Sequence, residues 1–340
     1  MKKLVIYHHN DMDGRFAAAL IYEYEKKNYD EIETYEIDYA RKIPQVTDAD
    51  TVYFVDYSFT ESENIGYFVR LVDAGAYVVW IDHHKSSAEF VNSGFLDNLV
   101  QHNDNIEIFI NTKYCATFLC YKYCTGNIES GVKNNEMDAV NVPLAINYVD
   151  SWDTWKHEFA DCTAFMYGFM SKNLDIEDIC GAVADNIFDN KATVSPFVNE
   201  CVSIGKCIIK YLDTDNKRMC ETFGFEFNIN YFGTLYKCFA LNANVNSKAF
   251  DSIIARYDIV CPFKFNGEKY IYSLYTQKDD VQCDKIASSL GKYNRLGGGG
   301  HSKAAGFQTY QQILSKSCSI VVKEGIFGKT KIKIWKWLYG

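Results

Sequence analysis

The first 110 residues alternate short apolar runs with amphipathic segments, and this alternation constrains the fold more than any other feature of the chain. Apolar runs of four to six residues predict buried strands, and the segments between them have the apolar spacing of helices. Strands that alternate with helices form a mostly parallel sheet with helices on both faces, so we predict an α/β domain. The predicted strands are Leu4–Tyr7, Ile32–Ile37, Val52–Val55 and Tyr77–Ile81, and the predicted helices are Arg15–Lys27 and Glu61–Ala74.

Later segments predict a second, smaller α/β domain. Residues 113–148 have a helical pattern that is interrupted at Thr125–Asn135, and Ser195-Pro196 is typical of the start of a helix that runs to Met219. We predict domains at 1–194 and 221–340, joined by a helical linker at 195–220. The predicted elements of the second domain are strands Phe223–Tyr231, Tyr236–Leu241, Tyr257–Phe265 and Tyr270–Tyr275, a hairpin turn at Asn266-Gly267, a helix near Cys283–Leu290 and an edge strand in 329–340.

The composition excludes several classes of protein. The 340 residues are 48% hydrophobic, which is enough to fill two cores. A net charge of −9 argues against a protein that tracks long DNA, although bound metals can still attract a nucleotide. The twelve cysteines are scattered without a Cys-x-x-Cys pair, which favours reduced thiols. No apolar run approaches the ~20 residues of a membrane span. We therefore expect a soluble, cytoplasmic protein.

Polar clusters follow three of the predicted strands. His9, Asp11 and Asp13 come after the first strand, and their alternation in an extended segment would place all three side chains on one side. Gly14 would then allow a tight turn into the next helix. Asp56 follows Val52–Val55. Asp82, His83 and His84 follow Tyr77–Ile81. Ligands of parallel sheets bind at the carboxyl ends of the strands, so these clusters predict a site there.

Imidazole and carboxylate together suit Mn²⁺, and Mg²⁺, Fe²⁺ and Co²⁺ are alternatives. A later loop offers one further carboxylate, from Asp150 or Asp153. Each cluster alone is a weak signal, because a single Asp-x-Asp is usually a turn. Together, however, His8–Asp13 and Asp82–His84 contain four of the seven histidines. With this many ligands the natural arrangement is two metal ions sharing a carboxylate, which activate a water and neutralise phosphoryl oxygens.

These residues carry a resemblance to a known family. The stretches HNDMDG (9–14), VDYS (55–58), DHH (82–84) and WDTW (152–155) resemble, in order, the four motifs of the DHH phosphoesterase superfamily. The stretch GGGGHSKAAGF (297–307) resembles the glycine-rich signature of the accessory DHHA1 domain, which holds the nucleotide end of the substrate. The resemblance implies a DHH domain followed by a smaller α/β DHHA1 domain.

The resemblance also implies roles for individual residues. One Mn²⁺ would be held by His9, Asp11 and Asp56, and the other by Asp13, Asp56, His83 and Asp153, with Asp56 bridging. Asp82 would orient an imidazole, and His84 would contact the scissile phosphate or protonate the leaving oxygen. The substrate would contact Gly298, Gly299, Gly300, His301 and Lys303. The family often has an arginine where this chain has Tyr275, and Arg256 or Lys278 would supply that charge.

We therefore predict a Mn²⁺-dependent phosphodiesterase of the nanoRNase type, an oligoribonuclease that hydrolyses short RNA or DNA oligonucleotides held between the two domains. The expected products are nucleoside monophosphates. Two alternatives stay open. The first is a phosphodiesterase or phosphatase for cyclic or linear dinucleotides or phosphoadenosine phosphate. The second is a module that binds nucleotides without hydrolysis. No membrane is expected as a partner, and the interpretation allows a homodimer.

Overall fold

The computed structural model describes residues 1–39, 41–59, 62–139, 141–187, 195–324 and 330–335. The chain divides into two compact units, residues 1–209 and 210–340. The division falls inside a helix, Pro196–Phe223, that occupies the segment predicted as a linker. The assignment of separate functional domains to 1–194 and 221–340 stays a prediction, and residues 188–194 lie outside the described part.

Six strands form the sheet in the described part of the first unit. They are β1 (Lys3–His9), β2 (Glu31–Ile37), β3 (Thr51–Val55), β4 (Tyr77–Asp82), β5 (Ile106–Ile110) and β6 (Gly131–Val132). The order is β2-β1-β3-β4-β5-β6, and all neighbouring strands pair in parallel. The predicted fold class is confirmed. Because the strand order reverses between β1 and β3, the crevice beyond their carboxyl ends is the expected ligand site.

Helices cover both faces of this sheet. Those of the first unit are α1 (Met12–Glu25), α2 (Ser62–Asp73), α3 (Lys85–Asn92), α4 (Asp97–His102), α5 (Ala116–Cys124), α6 (Leu144–Asp153), α7 (Cys162–Lys172), α8 (Ile176–Ile187) and the start of α9 (Pro196–Phe223). Successive residues of a strand point to opposite faces. Leu4 and Ile6 of β1 accordingly pack into the core with α1, α5 and α7, whereas Val5 and Tyr7 pack into the core with α2.

The helical prediction for residues 113–148 is correct for α5 and for the interruption at Thr125–Asn135, which contains the short strand β6. It is wrong for the described residues between this interruption and Leu144, where α6 begins. Pro143 precedes the first residue of α6, where a proline can begin a helix but cannot continue one. Strand β5 was not predicted. The predicted helix start at Glu61 lies outside the described residues.

The second unit contains a sheet of eight strands within its described residues. They are β7 (Phe225–Tyr231), β8 (Thr234–Asn242), β9 (Ile259–Phe265), β10 (Tyr270–Tyr275), β11 (Gly298–Gly300), β12 (Ala304–Thr309), β13 (Ser319–Glu324) and β14 (Thr330–Trp335), and α10 (Cys283–Tyr293) packs on them. The order is β11-β12-β10-β9-β8-β7-β13-β14, so β11 and β14 are edges. The predicted glycine-rich loop is thus an edge strand. The tail forms the predicted edge strand over Thr330–Trp335, and residues 329 and 336–340 lie outside the described part.

Candidate metal centre

The candidate site lies where the strand order of the first sheet reverses. His9 is the last residue of β1, Asp56 follows β3 directly, and His83 follows the last residue of β4. The backbone of Asp56 is held by a hydrogen bond from its N–H to the carbonyl of Ile81, 3.0 Å away. Its φ is +57°, a left-handed conformation that few residues other than glycine adopt. Strained backbone of this kind is concentrated at functional sites.

His9, Asp11 and Asp56 form one group of candidate ligands. The His9 Nδ1 atom lies 2.7 Å from Asp11 Oδ2 and 3.7 Å from Asp56 Oδ2. The hydrogen bond to Asp11, together with the nearby carboxylate of Asp56, raises the pKa of His9 to about 10. Burial raises the pKa of Asp11, but hydrogen bonds from His9 and from a backbone N–H outweigh burial and lower it overall. The charge of His9 and the charge of Asp11 therefore depend on each other.

His9, Asp11 and Asp13 do not lie together in one extended segment, as the sequence predicted. Only His9 lies in a strand; Asp11 caps α1 by accepting a hydrogen bond from the Gly14 N–H at 2.9 Å, and Asp13 lies in the first turn of α1. Gly14 is inside the helix and makes no tight turn. A Cβ at Gly14 would lie 2.4 Å from the carbonyl oxygen of His9, so glycine is needed there because the two backbones touch.

Asp13, His83 and Asp153 form a second group. The His83 Nε2 atom lies 3.4 Å from Asp153 Oδ2, 3.7 Å from Asp13 Oδ2 and 3.2 Å from Asp56 Oδ1. Asp153 is the last residue of α6, so the predicted loop position of this carboxylate is wrong. Burial and the charge of Asp13 raise the pKa of Asp153 to about 7.

Asp150, the other candidate for the fourth motif, is held elsewhere. Its Oδ1 accepts a hydrogen bond from the Cys115 N–H at 2.7 Å, and its Oδ2 lies 2.7 Å from Lys156 Nζ. The next two amides of the same helix start, those of Ala116 and Thr117, donate to Asp13 at 2.7 and 2.8 Å. The positive end of the α5 dipole therefore stabilises both carboxylates. No sequence pattern indicates this interaction, because backbone atoms make it.

Asp56 joins the two groups. Its Oδ1 faces His83 and its Oδ2 faces His9, and its side chain is only 1% exposed. Neither oxygen accepts a hydrogen bond within the described part of the chain. Burial and the charge of Asp13 raise the pKa of Asp56 well above its usual value. A buried carboxylate without donors is costly unless a cation compensates it, so the residues present fit divalent metal ions on both sides of Asp56.

Asp82 and His84 form a separate pair beside this centre. The His84 Nδ1 atom lies 2.8 Å from Asp82 Oδ1, and Ser87 donates its hydroxyl to the other oxygen of Asp82. Asp82 is fully buried, whereas the side chain of His84 is 33% exposed. Burial lowers the pKa of His84, but the hydrogen bond to Asp82 outweighs burial and raises it overall. The pair thus holds an imidazole with Nδ1 fixed and Nε2 left for a ligand. The contribution of Ser87 was not foreseen from the sequence.

The predicted substrate residues of the second unit differ from one another in exposure and in contacts. Gly298, Gly299 and Gly300 are exposed in β11, and His301 is exposed in the turn that follows. A Cβ at Gly298 would lie 2.3 Å from the carbonyl oxygen of Ala287, whereas a Cβ at Gly299 would meet nothing within 4 Å. Lys303 Nζ lies 2.7 Å from Asp279. Arg256 donates to the carbonyl of Ser252 at 3.3 Å and lines a cavity of about 290 Å³.

Three comparisons with known proteins show what the chain is similar to. Residues 3–144 match the profile of the DHH family, N-terminal domain. The chain has no match among curated protein sequences. Its fold is similar to that of the pGpG-specific phosphodiesterase PggH from Vibrio cholerae, with 15% identity, a TM-score of 0.45 and coverage of 91% of this chain and 94% of that chain. It is also similar to exonuclease RecJ bound to manganese, with 10% identity, a TM-score of 0.42 and coverage of 91% of this chain and 86% of that chain. For CDC45 from Entamoeba histolytica the identity is 9%, the TM-score is 0.38, and the coverage is 91% of this chain and 92% of that chain.

The family match covers the segments that end in His9, Asp56 and His83, the first three motifs of the resemblance. This segment of the chain is therefore similar to the N-terminal domain of DHH family proteins. Asp153 and the glycine-rich strand lie beyond the matched residues, and the roles of all predicted site residues stay predictions. Among the described helices, none combines the length and the apolar character that crossing a bilayer requires.

Proposed function

We propose that the protein is a metal-dependent phosphodiesterase that hydrolyses short oligonucleotides to nucleoside monophosphates. The observation that carries the proposal is Asp56. Its carboxylate is buried, accepts no hydrogen bond from the described residues and separates two groups of candidate ligands. A carboxylate in this position is costly for a merely structural site and useful for one that holds two cations.

The two groups define which residues would hold the cations. His9, Asp11 and Asp56 would hold one, and Asp13, Asp56, His83 and Asp153 would hold the other. Mn²⁺ suits this mixture of imidazole and carboxylate best, and Mg²⁺, Co²⁺ and Fe²⁺ are alternatives. Bound there, the ions would supply Lewis-acid activation of a water and neutralisation of phosphoryl charge. Asp150 is excluded from this set because Lys156 and the Cys115 amide already occupy its oxygens.

His84 is the proposed general acid. Asp82 fixes the imidazole through Nδ1 and raises its pKa, which favours the protonated form. The other nitrogen then carries a proton that can pass to the leaving oxygen of the nucleotide product. Because His84 is one-third exposed while Asp82 is fully buried, the substrate can reach the imidazole and not the carboxylate.

The second unit is proposed to act as a DHHA1 domain. Gly299 supports this role, because nothing within the protein requires glycine there, yet a side chain would keep a ligand from its backbone. His301 is exposed in the adjoining turn and Lys303 is partly exposed there. Both could contact a terminal phosphate or ribose. Arg256 is proposed as a further substrate contact only through the resemblance.

The test is hydrolysis of RNA and DNA of two to about two dozen nucleotides, a range that separates a short site from an extended groove. Cyclic and linear dinucleotides and phosphoadenosine phosphate are included. Each substrate is incubated with wild type, Asp56→Asn and Asp104→Asn, in Mn²⁺ or in chelator. Asp104 is exposed in the loop before β5 and serves as the matched control.

We expect Mn²⁺-dependent release of mononucleotides from oligomers of two to about five residues. Wild type and Asp104→Asn should be active, and Asp56→Asn should not. If only dinucleotides or phosphoadenosine phosphate are cleaved, the proposed metal-dependent hydrolysis is supported, but the proposal that longer oligonucleotides are substrates is rejected. Nucleotide binding without hydrolysis of any substrate, in any of the four metals, would reject the enzyme in favour of a binding module.

A further inference from the structure

Trp155 is an aromatic residue that the fold leaves in solvent beside the metal centre. It is 78% exposed, the largest exposed fraction of any tryptophan, phenylalanine or tyrosine among the described residues. It follows Asp153 by two residues, so the two Cα atoms are at most ~7 Å apart. The Asp153 carboxylate lies 3.4 Å from His83. Trp155 therefore lies close to the candidate centre, at a distance that one nucleotide can span.

Hydrogen bonds hold the backbone around Trp155 in an unfavourable conformation. Trp155 has φ of +57° and His157 has φ of +48°, and left-handed backbone is unfavourable for residues of this size. Ser151, which is 1% exposed, holds the turn: its carbonyl accepts from the His157 N–H at 3.1 Å, and its hydroxyl accepts from the Glu158 N–H at 2.9 Å. The Trp155 N–H donates to the Trp152 carbonyl at 3.2 Å.

Neighbouring aromatic rings orient the indole. Trp155 and His157 make an edge contact, with ring centroids 5.3 Å apart and an interplanar angle of 82°. His157 makes a similar contact with Trp152, at 5.9 Å and 88°, and Trp152 packs against the main core. The indole is thus held through two rings while most of its surface stays open. Its sequence neighbours Lys156 and Glu158 are exposed and charged, so the apolar patch is too small for a protein partner.

We propose that Trp155, oriented by His157, is a stacking platform for a nucleobase next to the scissile phosphate. The inference rests on the proposed function and deepens it, because it adds base recognition to a site otherwise made of phosphate and metal ligands. An open indole face is the surface on which bases stack, and stacking accepts every base. The platform would therefore bind oligonucleotides in preference to phosphodiesters without bases, with little preference among sequences.

A substrate–variant cycle tests the platform. The substrates are a two-base dinucleotide and two analogues in which either the 5′ or the 3′ nucleotide is abasic. For wild type, kcat/KM should fall about 5- to 150-fold for one of the two analogues, the range that stacking on one aromatic ring produces. For Trp155→Ala the two-base substrate and this abasic analogue should have the same kcat/KM, because the variant has no indole on which the base can stack. Trp155→Phe should keep part of the fall seen in wild type.

Phe95→Ala is the matched control, since Phe95 is also exposed in the first unit, at 62%. It should retain the full abasic effect. The proposal is overturned if Trp155→Ala shows the same abasic effect as wild type. If wild type hydrolyses none of the substrates, the proposed function fails independently, and the same cycle is measured with dissociation constants of labelled dinucleotides. Equal constants for wild type and Trp155→Ala would then overturn the platform.

Trp155→Gly separates recognition from packing. Glycine adopts positive φ without strain, so this variant should unfold at the same or a higher temperature than wild type while losing the abasic effect. A lower unfolding temperature together with an unchanged abasic effect would show that the tryptophan only packs, and would overturn the proposal.

Discussion

The candidate functional groups of the two units differ in whether the protein itself satisfies their charges and hydrogen bonds. In the first unit, the buried Asp56 accepts no hydrogen bond from any residue that the structure describes, and other carboxylates and imidazoles lie close to it. In the second unit, Lys303 is paired with Asp279 and Lys278 with Asp258, and the glycines lie in a hydrogen-bonded edge strand. The first arrangement is costly until cations enter it, whereas the second is stable alone. A substitution should therefore act mainly on metal binding in the first unit and mainly on substrate affinity in the second.

The largest effect is expected from Asp56→Asn. Loss of the shared carboxylate should lower kcat/KM by about 10³-fold or more, because several kcal/mol of charge stabilisation depend on the ions it holds. The increase in unfolding temperature that Mn²⁺ gives to wild type should also disappear. Asp104→Asn should behave as wild type in both assays. A Mn²⁺-dependent increase that survives in Asp56→Asn would contradict the shared-ligand arrangement.

Asp82→Asn should have the next largest effect, about 10²-fold on kcat, as is common when general acid catalysis is impaired. Asp82 raises the pKa of His84, so its loss lowers that pKa. The alkaline limb of the kcat–pH profile should then move to lower pH. His84→Gln should remove this limb altogether. An Asp82→Asn profile that keeps its shape and only loses amplitude would mean that Asp82 does not act through His84.

Stability of the metal-free protein should depend on pH through Asp153. Burial and Asp13 raise its pKa from 3.8 to about 7, so the folded state binds a proton that the unfolded state releases. Between these two values the contribution of Asp153 to stability falls as pH rises. Asp153→Asn should flatten that part of the curve of unfolding temperature against pH, measured by calorimetry in chelator. Superimposable curves for wild type and variant would be evidence against the shift.

The smallest effects are expected in the glycine-rich strand, where two neighbours should differ. Gly298→Ala should destabilise the protein by about 1–3 kcal/mol, because its Cβ would overlap the Ala287 carbonyl. Gly299→Ala should change stability by less than about 0.5 kcal/mol, since its Cβ meets nothing. If Gly299 contacts substrate, its alanine variant should instead raise KM. Denaturant unfolding and steady-state kinetics of both variants check this, and an unchanged KM for Gly299→Ala would remove the glycine from the substrate site.

The sequence predicted the parallel sheet because apolar runs and helical spacing alternate clearly in the first 110 residues. It also predicted that His9, Asp56 and His83 would converge, since the carboxyl ends of parallel strands share one edge. It placed Asp153 in a loop, although α6 extends to that residue. Local spacing could not distinguish a helix end from the loop beyond it. The stabilisation of Asp13 by the α5 amides depends on contacts between residues about 100 positions apart, which no local pattern contains.

The start of α5 also couples two parts of the metal centre. Its first amides hold Asp13, and the amide before them holds Asp150, which lies on the same helix as Asp153. One short row of backbone groups thus helps to fix the separation of Asp13 and Asp153. Changes at residues 115–117 should alter metal affinity while leaving every ligand in place. Mutational drift in this segment could therefore tune the centre between metals of different size.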